Sequence, residues 1–443
     1  MAHFETRRWE ADFTTPGGRQ NRKSFTYQAF VPDALEGFDP SLPSTSISLV
    51  VEAEQAVQAL NLRPPPLASL EVLARRLLRS EAVASSFIEG LKISQRRLAR
   101  AEAGGDEAHD LTARSVLGNV AAMEAAVELG ARTRALTVSD LEHVHGLLME
   151  ATDRPGLAGR LRTTQNWIGG LSYNPSRAAY IPPPPEFVKP LMEDLVKFSS
   201  REDLPATIQA AVAHAQFETL HPFGDGNGRT GRALIHAILR RRGLAPRFVP
   251  PVSLILATNA GDYIAGLTAF RQGHLADWLD LFARALTTAA RRSGELADDI
   301  AKLQASWRER AGHPRGDSSA EALITALPAY PLLTMTSAAR LLGRSLQAAN
   351  TALADLEAAG VVTQVSMGRR NRAFEAKELL QLVNAFERAL ATRDDEDEPS
   401  RPAPARRRRR RLSEIARSSP LAPTSRRVLR GAGPGPGMPG PPG

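Results

Sequence analysis

Apolar residues recur at three- and four-residue intervals through most of the chain, and that spacing predicts helices. The periodicity begins near Ile47 in ISLVVEAEQAVQAL and stops before Pro64-Pro65-Pro66. A second helix reads from Leu67 through about Ser80, with room to run on until Gly90. Further helices are predicted over 110–129, over 137–152 with Thr137 or Ser139 as N-cap, over 186–199, over 205–220, from the end of a glycine-rich stretch to Arg242, and over 260–310. Residues 155–185 break the pattern; Trp167-Ile168 and Tyr180-Ile181 read as short strands of a hairpin-like excursion. The start is polar and reads as an irregular arm. Near the other end, Ala320–Leu327, Thr336–Leu342 and Ser345–Ala359 precede VVTQV and RAFEA. Helices, a tight turn and a strand–turn–strand make a winged helix-turn-helix pattern. The expected fold class is all-α with a small β-hairpin flap, a winged helix-turn-helix module and a disordered tail. The expected units are an arm (1–33), a helical region (34–115), a catalytic domain (116–300), the module (315–390) and the tail (391–443).

Composition narrows the chemistry. With no cysteine among 443 residues, disulfides, thiolate nucleophiles and Cys-ligated metals are excluded. No segment reads as a secretory leader or approaches a membrane span, so a soluble cytoplasmic protein with no membrane contact is expected. The net charge of +8 is misleading: residues 401–443 hold 11 Arg against Glu414, or +10, leaving −2 for the first 400. Nucleic-acid binding by the body cannot be argued from overall charge.

The stretch that carries chemistry is FETLHPFGDGNGRTGR, Phe217 to Arg232. A helix ends at His221-Pro222, Gly224, Gly226 and Gly228 let the backbone turn sharply, and a new helix begins at once. N–H groups gathered at a helix N-terminus make an anion site. Arg229 and Arg232, at i and i+3, share one face and suit a polyphosphate. Asp225 can hold Mg²⁺ against phosphate oxygens. His221 at the rim is the proton acceptor, and Phe223 anchors the loop.

This pattern resembles the Fic family, whose motif is His, any, Phe, any, Asp or Glu, Gly, Asn, Gly, Arg, two variable residues, Arg. His221, Phe223, Asp225, Gly226, Asn227, Gly228, Arg229 and Arg232 match without departure. GRLRTTQNWIGG and AAYIPPPPEFVKPLM look like the family's flap, placing the similar stretch at about 45–290. The resemblance implies a Fic-fold protein adenylyltransferase that moves AMP from ATP to a Ser, Thr or Tyr hydroxyl of a target protein or of itself. It implies His221 as base, Asp225 on Mg²⁺, Gly226, Asn227 and Gly228 as the anion hole, Arg229 and Arg232 on phosphates, the flap aligning the target as an added strand, and a homodimer. Upstream, ASSFIEGLKIS matches the family's inhibitory pattern in Ser85, Glu89 and Gly90. Glu89 paired with Arg232 would take the charge partner of the γ-phosphate. Some members remove AMP at the same site, with the inhibitory Glu aligning water. UMP transfer fits the same loop; Tyr263 in AGDYIAGL is assigned to the base pocket.

Two other readings compete. His214, Glu218 and His221 share a helix face, and Glu218-x-x-His221 echoes Glu142-x-x-His145, as in di-iron bundles. Pro222 and the glycines, however, end the helix where such a bundle continues. The 320–388 unit admits a DNA-binding regulator in which the Fic-like domain senses nucleotide, or a protein-docking role. Its recognition helix has no Lys or Arg and carries Asp355 and Glu357, so Gln347, Asn350 and Thr351 would touch bases, and Arg369, Arg370 and Arg372 phosphates. The arginine run 406–411 would bind nucleic acid weakly.

Overall fold

The first residues pair as a β-ribbon, which corrects the irregular arm. Strand β1 (His3–Trp9) runs antiparallel to β2 (Phe25–Val31), with His3 opposite Val31 and Trp9 opposite Phe25. Ala29 and Val31 alternate inward, which gives the ribbon its foothold. The computed structural model describes residues 2–10, 23–62, 70–171, 173–367 and 371–391. The triple proline, Arg369, Arg370, the expected disordered tail from 392 on and its arginine run lie outside the described residues.

Next come α1 (Ser44–Leu62), α2 (Leu70–Ile88), α3 (Gln95–Glu102), α4 (Leu111–Gly130) and α5 (Val138–Glu150). Gly90, at φ +83°, ends the α2 segment in the left-handed region that a helix C-terminus favours. Thr137 caps α5 in a reciprocal capping box with Asp140. The predicted excursion over 155–185 is present as an Ile168–Tyr180 bridge. It is not isolated: Phe30 N of β2 donates to Ile181 O at 2.9 Å, so the ribbon lies alongside this flap. Trp9 meets Trp167 edge-on at 5.5 Å.

The centre is built by α6 (Pro185–Phe198), α7 (Ala206–Leu220) and α8 (Asn227–Arg241). Every residue of α7 is buried, and its many alanines let neighbouring helices approach from all sides. Then α9 (Val252–Thr258), α10 (Ala260–Arg271) and α11 (Leu275–Arg310) close around it. The single helical run read over 260–310 is two helices, because the chain turns at Gly273, φ +86°.

The last elements are α12 (Ser319–Ala326), β3 (Leu332–Thr334), α13 (Met335–Leu342), α14 (Leu346–Ala358), β4 (Thr363–Met367), β5 (Asn371–Glu375) and α15 (Lys377–Ala391). Their antiparallel sheet has the order β3-β5-β4. With two small sheets the fold is mostly helical rather than purely α. Leu390 of α15 packs with Ala84 of α2 and Leu254 of α9, tying the last helix to the centre. Among the described residues no helix is long and apolar enough to cross a membrane.

Candidate active site

The loop between α7 and α8 is held by its own side chains. His221 caps α7 at φ +47°, a left-handed conformation rare for a residue with a Cβ. It persists because its carbonyl is held: Arg162 Nε donates to it at 2.9 Å and Asn166 Nδ2 at 3.2 Å. Arg162, itself buried, also donates to the Thr164 and Leu220 carbonyls. Asn227 locks the other side, with Oδ1 accepting from Phe223 N at 2.8 Å and Nδ2 donating to Phe223 O at 2.9 Å. The Asn227 side chain is thus a loop clamp, and the anion hole is left to backbone N–H groups. Gly226 (φ +74°) is the N-cap of α8 and supplies no capping side chain.

His221 is 20% exposed; its Nδ1 is buried with no hydrogen-bond partner, and a Glu218 oxygen lies 3.9 Å away. Burial drives the imidazole down to about 4, with Arg162 adding and Glu89, the Glu218 main-chain carbonyl and Asp225 opposing. The ring is therefore neutral at pH 7 and able to accept a proton. Burial raises the Glu218 carboxyl to about 7 despite Arg232 nearby.

Helices α2 and α8 meet along an antiparallel ladder with a rung every four residues. On the first rung His236 Nε2 lies 2.9 Å from Glu81 Oε1, both fully buried. On the second, Arg232 Nε donates to Ser85 Oγ and Nη2 to Ser85 O, each at 2.8 Å. The third sets Glu89, just past the end of α2, over Gly228: a Cβ at 228 would collide with Glu89 Oε1 and fall 2.9 Å from Arg232 Nη1. Arg232 Nη2 reaches across to donate to Glu89 Oε1 at 2.7 Å. Burial pushes the Glu89 carboxyl up, but Arg232 outweighs it and holds the group below its ordinary value. Burial likewise disfavours the charged Arg232, yet Glu89 brings it above its usual range.

Asp225, Arg229 and Glu89 share a cleft of about 300 Å³ with Ser115, Thr152 and Asp153. Arg229 donates to Ser115 Oγ at 2.9 Å. Asp225 Oδ1 accepts from Gly226 N at 2.7 Å, and Oδ2 accepts from Arg154 at 3.3 Å; the side chain is 41% exposed. One accessible carboxylate on a cleft that also offers an anion site fits Mg²⁺, which takes one or two carboxylates and completes its shell with phosphates and water. Among the described residues no cluster of three or more His, Asp or Glu could hold a metal alone. His145 serves the loop instead: its ring stacks on Phe223 at 3.8 Å, Nε2 meets Asp225 O at 3.0 Å, and Nδ1 accepts from Gly159 N at 3.0 Å. Tyr263, expected in a base pocket, is buried behind Arg232; its hydroxyl lies 2.8 Å from His214 Nε2 and it packs on Trp278. Arg162, Asn166 and Glu218 are the supports that sequence reasoning left without a role here; the first two lie in the stretch singled out as the flap.

Parts of the chain are similar to known proteins. The Fic/DOC family model matches residues 135–239, and the Fic/DOC family N-terminal model matches 47–128. Protein adenylyltransferase fic-1 of Caenorhabditis elegans is 32% identical over 152 residues, covering 34% of this chain and 27% of its own. Protein adenylyltransferase Fic of Nematostella vectensis is 30% identical over 156 residues, covering 34% and 33%. The match thus spans about a quarter to a third of those relatives. A Fic family protein of Desulfovibrio desulfuricans aligns over 76% of this chain and 97% of its own, at 22% identity and a TM-score of 0.46. Residues 135–239 thus match the Fic/DOC family and residues 47–128 its N-terminal region.

Proposed function

We propose that the chain is a protein adenylyltransferase that moves AMP from ATP to a Ser, Thr or Tyr hydroxyl, restrained by Glu89. The observation that carries this reading is a cleft lined by Asp225, Arg229 and Glu89, in which Glu89 reaches the buried Arg232, beside a loop that also carries a neutral His221 and an α8 N-terminus without a side-chain cap. His221 takes the hydroxyl proton. Backbone N–H groups at Asn227 and Gly228 face the α-phosphate, and Arg229 and Arg232 hold the outer phosphates. Mg²⁺, held by Asp225, would neutralise phosphate charge when bound. In the resting state Arg232 is occupied by Glu89, which leaves the γ-phosphate without its partner. Tyr263, buried against His214, backs Arg232 rather than touching the base.

Supporting roles follow. The flap and the ribbon beside it present the target segment. The 315–390 module is a winged helix used for docking; Asp355 and Glu357 on α14 favour a protein partner over DNA. The test is intact mass after incubation with Mg²⁺ and ATP, UTP or neither, with His221→Ala alongside. Addition of AMP to the parent and none to the variant supports the reading. Addition of UMP alone reassigns the base. No addition by parent or by Glu89→Gly removes the transferase reading.

A further inference from the structure

The last turn of α7 holds a carboxylate that the proposed chemistry has not used. Glu218 and His221 are three residues apart, so both project from one face. Glu218 is almost wholly buried, and its Oε1 has no hydrogen-bond partner. His221 Nδ1 is also buried and unpartnered, and Glu218 Oε2 lies 3.9 Å from it. A buried, unpartnered imidazole nitrogen 3.9 Å from a carboxylate oxygen in a dry site is costly unless the two serve each other. A movement of about 1 Å brings them to hydrogen-bond length, and catalytic hydrogen bonds are commonly long before substrate arrives.

A second observation is independent of the histidine. Gly231 lies inside α8, where glycine costs about 1 kcal/mol relative to alanine. A Cβ there would sit 2.9 Å from Glu218 Oε1 and 3.3 Å from His214 Nδ1. Gly231 occupies one of the two variable places between Arg229 and Arg232, so the phosphate loop does not require it. What it provides is space shared by the Glu218 carboxyl, the Phe217 ring and the His214 imidazole. The charged groups that bear on that carboxyl are Arg232, Glu89 and Arg271. Arg232 is already engaged by Ser85 and Glu89, while the His221 ring lies 3.9 Å from the other Glu218 oxygen.

We propose that Glu218 is a positioning residue whose carboxylate receives the Nδ1–H of His221, so that Nε2 is presented unprotonated to the incoming hydroxyl. The proposal rests on the adenylyl-transfer reading for its consequence, though not for its geometry. In the reaction the hydroxyl proton passes to Nε2, the oxygen bonds to the α-phosphorus, and the bond to the bridging oxygen breaks as pyrophosphate leaves. The imidazolium then carries N–H on both sides, and Glu218 faces the one pointing away from substrate. Glu218 takes no proton itself.

The test uses the full chain labelled with ¹⁵N-histidine, the His221 signals being those lost in His221→Ala. Glu218→Leu removes the acceptor, and Glu218→Gln keeps the shape while removing the charge. Transfer is measured in the Glu89→Gly background. At pH 8, above the value of about 7 to which burial raises the Glu218 carboxyl, the parent should hold the Nδ1–H tautomer. Both variants should raise the Nε2–H tautomer and lower kcat at least about tenfold with the KM for ATP unchanged. Should Glu218→Leu fail to fold, the glutamine variant decides. An unchanged Nδ1–H tautomer in the folded variant overturns the proposal whatever the rate, because the Glu218 main-chain carbonyl would then suffice. If Glu89→Gly labels nothing, the transferase reading fails while the tautomer still decides the role of Glu218.

Discussion

Replacing Glu89 by glycine should separate activity from stability. Arg232 is 1% exposed and Glu89 36%, so the lost carboxylate lies at the solvent edge while its partner stays inside. Arg232 keeps both bonds to Ser85, and water can reach the Nη2 hydrogen that Glu89 leaves. With the carboxylate at the solvent edge and both Ser85 bonds kept, the pair contributes ~0–1 kcal/mol. The melting temperature should therefore fall by no more than about 4 °C. The effect on labelling is larger, because the same change frees the γ-phosphate partner. A coupling of ~1–3 kcal/mol between two sites is a factor of about 5–150, and self-labelling with labelled ATP should rise within that range. Glu89→Gln keeps the volume without the charge and should fall between. Arg232→Ala combined with Glu89→Gly should be inactive, since release of an absent residue gains nothing. A Glu89→Gly protein that labels no faster than the parent refutes the reasoning. So does a double variant as fast as the single one, which would mean general loosening rather than release of Arg232.

Three further outcomes follow from the same geometry. His221→Ala should reduce labelling by about 10²–10⁴ with little change in ATP affinity, checked by mass and by calorimetry. Glu81→Gln should cost about 2–4 kcal/mol in urea unfolding, more than Glu89→Gly, because Glu81 is fully buried and accepts from Ser253 as well as facing His236. Stability should also climb with pH between about 4 and 6.5. Buried His145, His214 and His221 titrate at about 4, 3 and 4 when folded but near 6.5 when unfolded, so the unfolded chain binds up to three more protons in that window. Glu218, raised to about 7, keeps one extra proton in the folded state from about 4.5 upward and opposes the trend. The net is about two protons, or ~2.7 kcal/mol per pH unit at most; a urea midpoint that does not change from pH 4.5 to 6.5 contradicts these burials.

Phe217 to Arg232 was readable because its chemistry is packed into sixteen consecutive residues, where spacing alone puts the arginines on one face. The Glu89 contact was readable only through resemblance, since 143 residues separate it from Arg232. Arg162 and Asn166 could be marked as flap but not as holders of His221, because a side chain bonding a distant carbonyl leaves no periodic trace. The ribbon was missed for a different reason. β1 turns no residue fully inward, so its alternation has little apolar contrast, although β2 carries Ala29 and Val31 in alternate inward places. Helices α3 and α9, at eight and seven residues, are too short for a 3.6-residue period to declare itself.

The four-residue spacing of the α2–α8 ladder has an ambiguity built into it. Sliding one helix past the other by a single turn, 5.4 Å, would bring Glu81 opposite Arg232 and Ser85 opposite Gly228. The arginine would still face a carboxylate, and the loop would be clear of one. The rungs themselves therefore do not fix the alignment. Ser253 does: its N–H donates to Glu81 Oε2 at 2.8 Å and its hydroxyl to Glu81 Oε1, from α9, a third helix. Next to it, Leu254 is packed under Leu390 of the last helix. How far Glu89 reaches into the cleft is thus set two turns away, by a serine that touches none of the reacting atoms.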